Sequence, residues 1–352
     1  MNSERHTDNI NYYSYKARKK KRNRRIIMVR SILLVVLLLA VLLLIFFGVR
    51  KFKESQIKDY YDTENGFTNL VKQEALADEK LTPFAKDLAV LSADTVEDSS
   101  MLTSGAGLLT GRKGGSVIIA KDATAMMNPA STTKILTALC ALKYGNLDDQ
   151  VVISEDAMVY EEGASLAHIE PGQTYSLRQL LYGLLLPSGN DAANAIAIHI
   201  SGSIDAFADL MNKEARELGA IDSHFVNPHG MTDDEHYTSA YDLYLIINEA
   251  MKYPEFCDIC STKIYTIEFL QEDGKYGSRT WTNTNKYVTD SRDLPENLKL
   301  EAGKTGTTLA AGHCLVLAVK DEKDEEYISI ILKGETTDSL YNNMDYLLSG
   351  IK

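Results

Sequence analysis

The chain has 352 residues, 45% hydrophobic and 24% charged, and a formal net charge of −12. That is enough material for one large domain or two small ones, each with a buried core. The charge is partitioned: thirteen Lys and Arg stand against two acids up to Lys53, and 24 bases stand against 47 acids after it. The acidic main body excludes a nucleic-acid partner or an anionic-lipid-binding face for that part of the chain, because no basic surface is available there.

The N-terminus sets the expected compartment. KARKKKRNRR (Lys16–Arg25) precedes nineteen uncharged residues, Ser31–Val49, long enough to cross a bilayer. The basic cluster before the apolar run places a short tail (1–30) in the cytoplasm, a transmembrane helix over 31–49, and all that follows outside the cell membrane. The apolar run is long for a cleaved signal peptide, and RKFKES after it lacks a small-x-small cleavage site, so an uncleaved single-pass anchor is expected. Residues 50–97 are charged with scattered apolar positions and read as a partly helical extracytoplasmic stalk. A main domain then runs over 98–352.

Within that domain, AGLLTGRKGGSVIIAK (Ala106–Lys121) reads as a hairpin with a Gly-rich turn. NPASTTKILTALCALKYG (residues 128–145) reads as a core helix. Ile135, Leu139 and Leu142 recur at helical spacing, and Gly145 caps the last turn. Ser176 with Gln179 three residues later forms a capping box for an apolar helix ending at Pro187. Asp205–Gly219 is an amphipathic helix with Phe207, Leu210, Met211 and Leu218 on its apolar side. His313–Lys320 and Tyr327–Lys333 form a second hairpin across a charged turn, and a last helix covers roughly Ser339–Leu348. Strands at both ends with helices between predict one α/β domain whose antiparallel sheet joins the chain ends.

Four cysteines are present. Cys140 and Cys314 lie in apolar stretches and read as small core residues. Cys257 and Cys260 form a C-x-x-C without a second ligand pair at zinc spacing, so a metal site is not expected. A local disulfide and a pair of free surface-loop thiols both fit the spacing.

Ser-x-x-Lys occurs three times, as Ser55/Lys58, Ser131/Lys134 and Ser349/Lys352. Only the middle copy opens an apolar helix, where serine and lysine share a face and the helix dipole favours developing negative charge. Pro187–Asp191 supplies the only Ser-x-Asn, Ser188 with Asn190, at a junction between helices. Glu301–Thr308 supplies the only Lys-Thr-Gly, Lys304-Thr305-Gly306, before the last hairpin. Each motif alone has an ordinary structural reading; three in this order on suitable elements point to a serine nucleophile.

A serine hydroxyl needs a base, and Lys134 serves if burial and a neighbouring cation such as Lys304 keep it neutral. Ser188 relays a proton to the leaving amine, and Asn190 orients Lys134 and a substrate amide. Lys304, kept charged, attracts a carboxylate. Gly306 lets a substrate backbone approach as an added strand, and the amides of Ser131 and Thr307 hold the oxyanion.

With GASLAHIEPG (Gly163–Gly172), LLLPSGNDAANAIA, HFVNPHGM (His224–Met231), SAYDL and GKTGTTLAAGH, the three motifs give a chain that resembles the serine D-alanyl-D-alanine carboxypeptidases among the low-molecular-mass penicillin-binding proteins over residues 100–352. The resemblance implies a β-lactamase/DD-peptidase-like α/β fold, with an antiparallel sheet flanked by helices in the catalytic domain 98–352. It implies peptidoglycan pentapeptide stems as substrates, a Ser131 acyl-enzyme that releases the terminal D-Ala, β-lactams as acylating inhibitors, and no cofactor. By position, Thr305 and Thr308 would help Lys304 hold the terminal carboxylate. Many members carry a β-rich C-terminal domain and a C-terminal membrane anchor; here the sequence stops soon after the last strand and helix, so membrane attachment through the N-terminal helix is expected.

His168, His229 and His313 are not expected to be catalytic, since Lys134 fills the base position, and His229 in NPHGM reads as a groove residue. Asp191 is expected to stabilise the helix that follows it. Three alternatives stand beside this reading. A DD-endopeptidase would use the same groove. A β-lactamase is disfavoured by the lack of a Glu-x-x-x-Asn loop, and a penicillin sensor by the short cytoplasmic tail.

Overall fold

The computed structural model describes residues 88, 89, 91, 99–112 and 116–351, all within the compact unit Pro83–Lys352. The expected cytoplasmic tail, membrane helix and most of the expected stalk lie outside the described residues. Among those described, no helix is long and apolar enough to cross a membrane. Ala89, inside the stretch expected as stalk, is buried on the domain. Its N–H donates to the Tyr244 hydroxyl at 2.9 Å, and its carbonyl accepts from the Tyr241 hydroxyl at 2.8 Å.

A five-stranded antiparallel sheet forms from β1 (Ala106–Gly111), β2 (Val117–Lys121), β7 (Leu298–Thr308), β8 (Gly312–Asp321) and β9 (Glu326–Gly334), in the order β2-β1-β9-β8-β7. Strand β1 pairs with β9 from Ala106↔Leu332 to Gly111↔Tyr327, so the sheet joins the two ends of the domain as the sequence predicts. Both faces are covered, which explains why the inner strands read as continuous apolar runs. Leu108, Val316, Ala318, Ile328 and Ile330 enter the larger core with the helical region. Their alternates Leu109, Leu315, Leu317, Val319 and Ile331 pack under the last helix through Leu340, Met344 and Leu347.

Seven α helices are described: α1 (Lys134–Tyr144), α2 (Leu177–Leu185), α3 (Asn190–Ser201), α4 (Ile204–Glu217), α5 (Ala240–Ala250), α6 (Pro254–Cys260) and α7 (Thr337–Ser349). The capping box at the start of α2 is present in both directions. Ser176 Oγ accepts from the Gln179 amide at 3.2 Å, and Gln179 Oε1 accepts from the Ser176 amide at 2.8 Å. Gly145 follows α1 in an extended conformation, φ −101°. Space, not a left-handed turn, explains it, because a Cβ there would lie 2.4 Å from Leu177 Cδ2.

A second sheet, β3 (Gln150–Val152), β4 (Thr174–Ser176), β5 (Ile264–Leu270) and β6 (Tyr276–Thr282), has no counterpart among the elements expected from the sequence. Its ladder is thin where β4 meets β5, with Thr174↔Leu270 the one residue pair between them. The sheet matters for position: β6 delivers Trp281, whose indole N–H donates to the Ala167 carbonyl at 2.9 Å, and leads directly into Thr284 and Lys286. The C-x-x-C is helical, not a surface loop. Cys257 and Cys260 sit on α6 as free thiols, the second buried.

Candidate active site

The expected single helix at 128–145 begins differently from its pattern. Ala130–Thr133 forms a 3-10 turn, and α1 starts only at Lys134. Ala130 takes φ +49°, a left-handed backbone that residues with a Cβ rarely adopt. The turn is closed by side chains: the Thr132 hydroxyl donates to the Pro129 carbonyl at 2.7 Å and the Thr133 hydroxyl to the Ala130 carbonyl at 2.9 Å. Ser131 is thereby held at the mouth of α1 with its side chain over Lys134.

Lys134 is wholly buried. Its Nζ lies 2.9 Å from Ser131 Oγ and donates to Asn190 Oδ1 and to the His229 carbonyl, both at 2.7 Å. Burial holds its pKa well below that of a free lysine, and the nearby Lys304 lowers it further, against a weaker opposing pull from Asp191. A neutral amine has two N–H donors and one lone pair. The two carbonyl oxygens take the donors, and the lone pair is left for the Ser131 hydroxyl.

The second motif turns sharply between α2 and α3. Ser188 is left-handed, φ +63°. Gly189 has no room for a side chain, since a Cβ would lie 2.6 Å from Ala167 Cβ and 2.7 Å from the Ala167 amide. Asp191 does more than favour the start of α3: Oδ1 accepts from the Ala167 and Ala192 amides at 2.8 and 2.9 Å, and Oδ2 from the Ile169 amide at 3.1 Å. It pins the 167–169 loop to the site.

The third motif lies within β7, the edge strand, which extends the expected hairpin by one further strand. Lys304, 1% exposed, donates to Ser188 Oγ at 3.0 Å and to the Thr305 carbonyl at 2.8 Å. Burial brings its pKa down to about 7. Gly306 answers to the protein before any substrate: a Cβ there would lie 2.8 Å from the Ser131 amide nitrogen and 3.0 Å from that of Thr132. Strand and nucleophile turn are in backbone contact at this residue.

Between them opens a cleft of about 230 Å³, lined by Ser131, Ser188, Thr305, Gly306 and Thr307. The Thr305 hydroxyl shares a hydrogen bond with that of Thr284 at 2.6 Å, and the Thr307 hydroxyl one with His313 Nδ1 at 3.2 Å. Thr308 is not among the residues that line this cleft. Its hydroxyl accepts from Thr232 at 3.1 Å and from the Ala311 amide at 3.0 Å, at the β7–β8 turn. Ser165, Thr284 and Lys286 also line the cleft and were not singled out in the sequence. Their only trace there is nearness, Ser165 within GASLAHIEPG and the other two just past a strand that was itself unseen.

His229 contributes its carbonyl, not its ring, whose pKa burial lowers to about 3. His168 is exposed. Cys257 and Cys260 have thiol pKa values raised by burial to about 11 and about 12, which leaves them as thiols and not thiolates. Among the described residues no group of His, Cys, Asp and Glu gathers to hold a metal ion.

A family model described as D-alanyl-D-alanine carboxypeptidase matches residues 89–336. The D-alanyl-D-alanine carboxypeptidase DacF of Bacillus subtilis is 36% identical over 219 residues, covering 60% of this chain and 53% of that protein. DacC of Escherichia coli, a D-alanyl-D-alanine carboxypeptidase, is 30% identical over 272 residues, covering 74% and 64%. The crystal structure of the Streptomyces K15 DD-transpeptidase superposes with a TM-score of 0.66 at 29% identity, covering 73% of this chain and 98% of that one. The chain thus spans between half and two thirds of the length of these two carboxypeptidases. The family match contains Ser131, Lys134, Ser188, Asn190 and Lys304 together, and on that ground the chain belongs to the D-alanyl-D-alanine carboxypeptidase family of serine peptidases.

Proposed function

We propose that this protein is a serine D-alanyl-D-alanine carboxypeptidase that trims the terminal D-Ala from peptidoglycan pentapeptide stems and is acylated by β-lactams. One observation carries the reading: buried Lys134 Nζ lies 2.7 Å from two carbonyl oxygens and 2.9 Å from Ser131 Oγ, in a site that holds its pKa well below that of a free lysine. Neutral Lys134 takes the Ser131 proton as Oγ bonds to the carbonyl carbon of the penultimate D-Ala. The oxyanion sits against the amides of Ser131 and Thr307. The C–N bond then breaks, and the proton passes from Lys134 through Ser188 to the departing D-Ala amine. Water, deprotonated by the same lysine, hydrolyses the ester and returns Ser131.

Ser188 suits the relay because its hydroxyl lies in the cleft with Lys304 Nζ behind it at 3.0 Å. The Lys304 charge, weak near pH 7 in the empty site, is strengthened when a carboxylate enters the cleft and raises its pKa. Purified protein is expected to release D-Ala from a peptide ending in D-Ala-D-Ala and to be labelled by fluorescent penicillin. Ser131→Ala should abolish both, and either activity surviving in that variant would sink the assignment. A cross-linked muropeptide in the same assay separates exopeptidase from endopeptidase use of the groove.

The uncharged run 31–49 behind its basic cluster supports a single-pass anchor that holds the catalytic domain outside the cell membrane. Full-length protein should stay with membranes through alkaline carbonate washing and be shaved by protease only from the outer side. Release into the wash, or protection of the domain, would refute the placement.

A further inference from the structure

His236 lies 1% exposed, 103 residues along the chain from Thr133, and was not singled out by any motif. The Val226 N–H donates to its Nδ1 at 3.2 Å, so that nitrogen carries the lone pair and Nε2 carries the proton. Nε2 lies 2.9 Å from Thr133 Oγ1 and donates to it. The Thr133 hydroxyl, its acceptor side occupied, gives its own hydrogen to the Ala130 carbonyl at 2.9 Å. Every hydrogen in the chain Val226–His236–Thr133–Ala130 is used once. Burial lowers the imidazole pKa to about 4, so the neutral ring this chain requires persists at neutral pH.

The end of the chain is the peptide bond that supplies the nucleophile's amide. A trans peptide is planar, with C=O and N–H pointing opposite ways. Holding the Ala130 carbonyl inward therefore turns the Ser131 N–H outward, to the side where β7 approaches at Gly306. The Ala130 backbone needs holding, since φ +49° is strained for a residue with a Cβ. Gly230 backs the same carbonyl, and a Cβ on it would lie 1.9 Å from the oxygen.

We propose that His236 is a positioning residue for acyl transfer: through Thr133 it fixes the plane of the Ala130–Ser131 peptide and so aims the Ser131 N–H at the oxyanion. This rests on the serine acyl-transfer reading above, and wild-type turnover of an ester substrate tests that reading separately from the variants.

The test uses the full-length chain with His236→Phe, His236→Gln and Thr133→Val, a peptide ester ending in D-Ala, and its thionoester, in which C=S replaces C=O. Sulphur accepts a hydrogen bond poorly, so a well-aimed amide favours the oxygen ester and a misaimed one favours it less. His236→Phe should lower kcat on the oxygen ester by roughly 10- to 100-fold with KM little changed. The thionoester should lose less, so the oxygen-to-sulphur rate ratio shrinks. His236→Gln keeps an N–H near the Nε2 position and should recover kcat and the ratio to within about threefold of wild type. Thr133→Val breaks the chain at its middle link and should reproduce the shrunken ratio even if the phenylalanine variant does not fold. The proposal is overturned if oxygen and sulphur esters slow equally in the folded variants, if His236→Phe matches wild type, or if His236→Gln is as slow as His236→Phe.

Discussion

The two walls of the cleft are built on different principles. The strand wall is a regular antiparallel edge: β7 pairs with β8 in register from Gly303↔Leu317 to Thr308↔Gly312, and its functional residues are sequence neighbours. The helical wall gathers Ser131, Lys134, Ser188, Asn190 and the His229 carbonyl from three separate segments. It holds two non-glycine residues in left-handed backbone, Ala130 at φ +49° and Ser188 at φ +63°. Ladder hydrogen bonds keep the first wall in place. Long-range side-chain and backbone contacts keep the second, and they must also hold the strained backbone beside the nucleophile. An edge strand can hinge away from its neighbour's surface, whereas a strained turn inside a core has nowhere to go.

Two glycines turn that contrast into a measurement. A Cβ on Gly230, in the helical wall, would lie 1.9 Å from the Ala130 carbonyl oxygen, and the residue has φ +89°. Gly230→Ala therefore combines backbone strain with overpacking beside the Lys134 acceptor, and it should cost about 3 kcal/mol or more of stability. Penicillin acylation should fall at least ~100-fold. Gly306→Ala, in the strand wall, meets the Ser131 amide at 2.8 Å without any positive φ. It should cost about 1–3 kcal/mol and slow acylation by roughly tenfold, as β7 tilts outward. Thermal melting and stopped-flow acylation of both variants check the order. If Gly306→Ala proves the more damaging, the strand wall is the rigid one and the contrast is reversed.

The same contrast governs what the sequence alone made legible. Four strands of the first sheet, in its two hairpins, the capping box at Ser176 and the three motifs were readable because each is a local pattern: alternation, a cap, or a triplet; β7 was legible only as the motif it carries. The second sheet was not. Strand β5 alternates exposed and buried residues in IYTIEFL, but one residue pair joins it to β4, and no local pattern shows that pairing. Gly306 was legible as a glycine needed for close approach. That the approaching partner is the Ser131 turn, not a substrate, depends on a contact between residues 175 positions apart. His236 carried no local signal, because its role exists only through Thr133 and Val226. Thr308 sits beside Lys-Thr-Gly in sequence, and the engagement of its hydroxyl at the β7–β8 turn is a contact that the triplet alone does not show.

A last comparison separates the walls by their lysines, per pH unit the smallest of these effects. Lys134→Met would strand two inward carbonyl oxygens, those of Asn190 and His229, without a donor. Lys304 gives up less on replacement, because its partners are a cleft hydroxyl and a backbone carbonyl of its own edge strand. Its folded pKa is about 7, against 10.5 for a free lysine. Below about pH 7 the ammonium is charged in both folded and unfolded chains, so Lys304 contributes no pH slope there. Between about 7 and 10.5 the unfolded chain still holds the proton and the folded one has released it, so the unfolded state binds more protons and stability rises with pH. Lys304→Met should remove that share, flattening the slope across this window by up to about 1.4 kcal/mol per pH unit. Urea unfolding of wild type and variant at a series of pH values reads the difference directly. Parallel curves would mean that folded Lys304 keeps its proton throughout the window. The strand wall would then present a permanent cation to the cleft, and Lys134 would owe more of its neutrality to that charge.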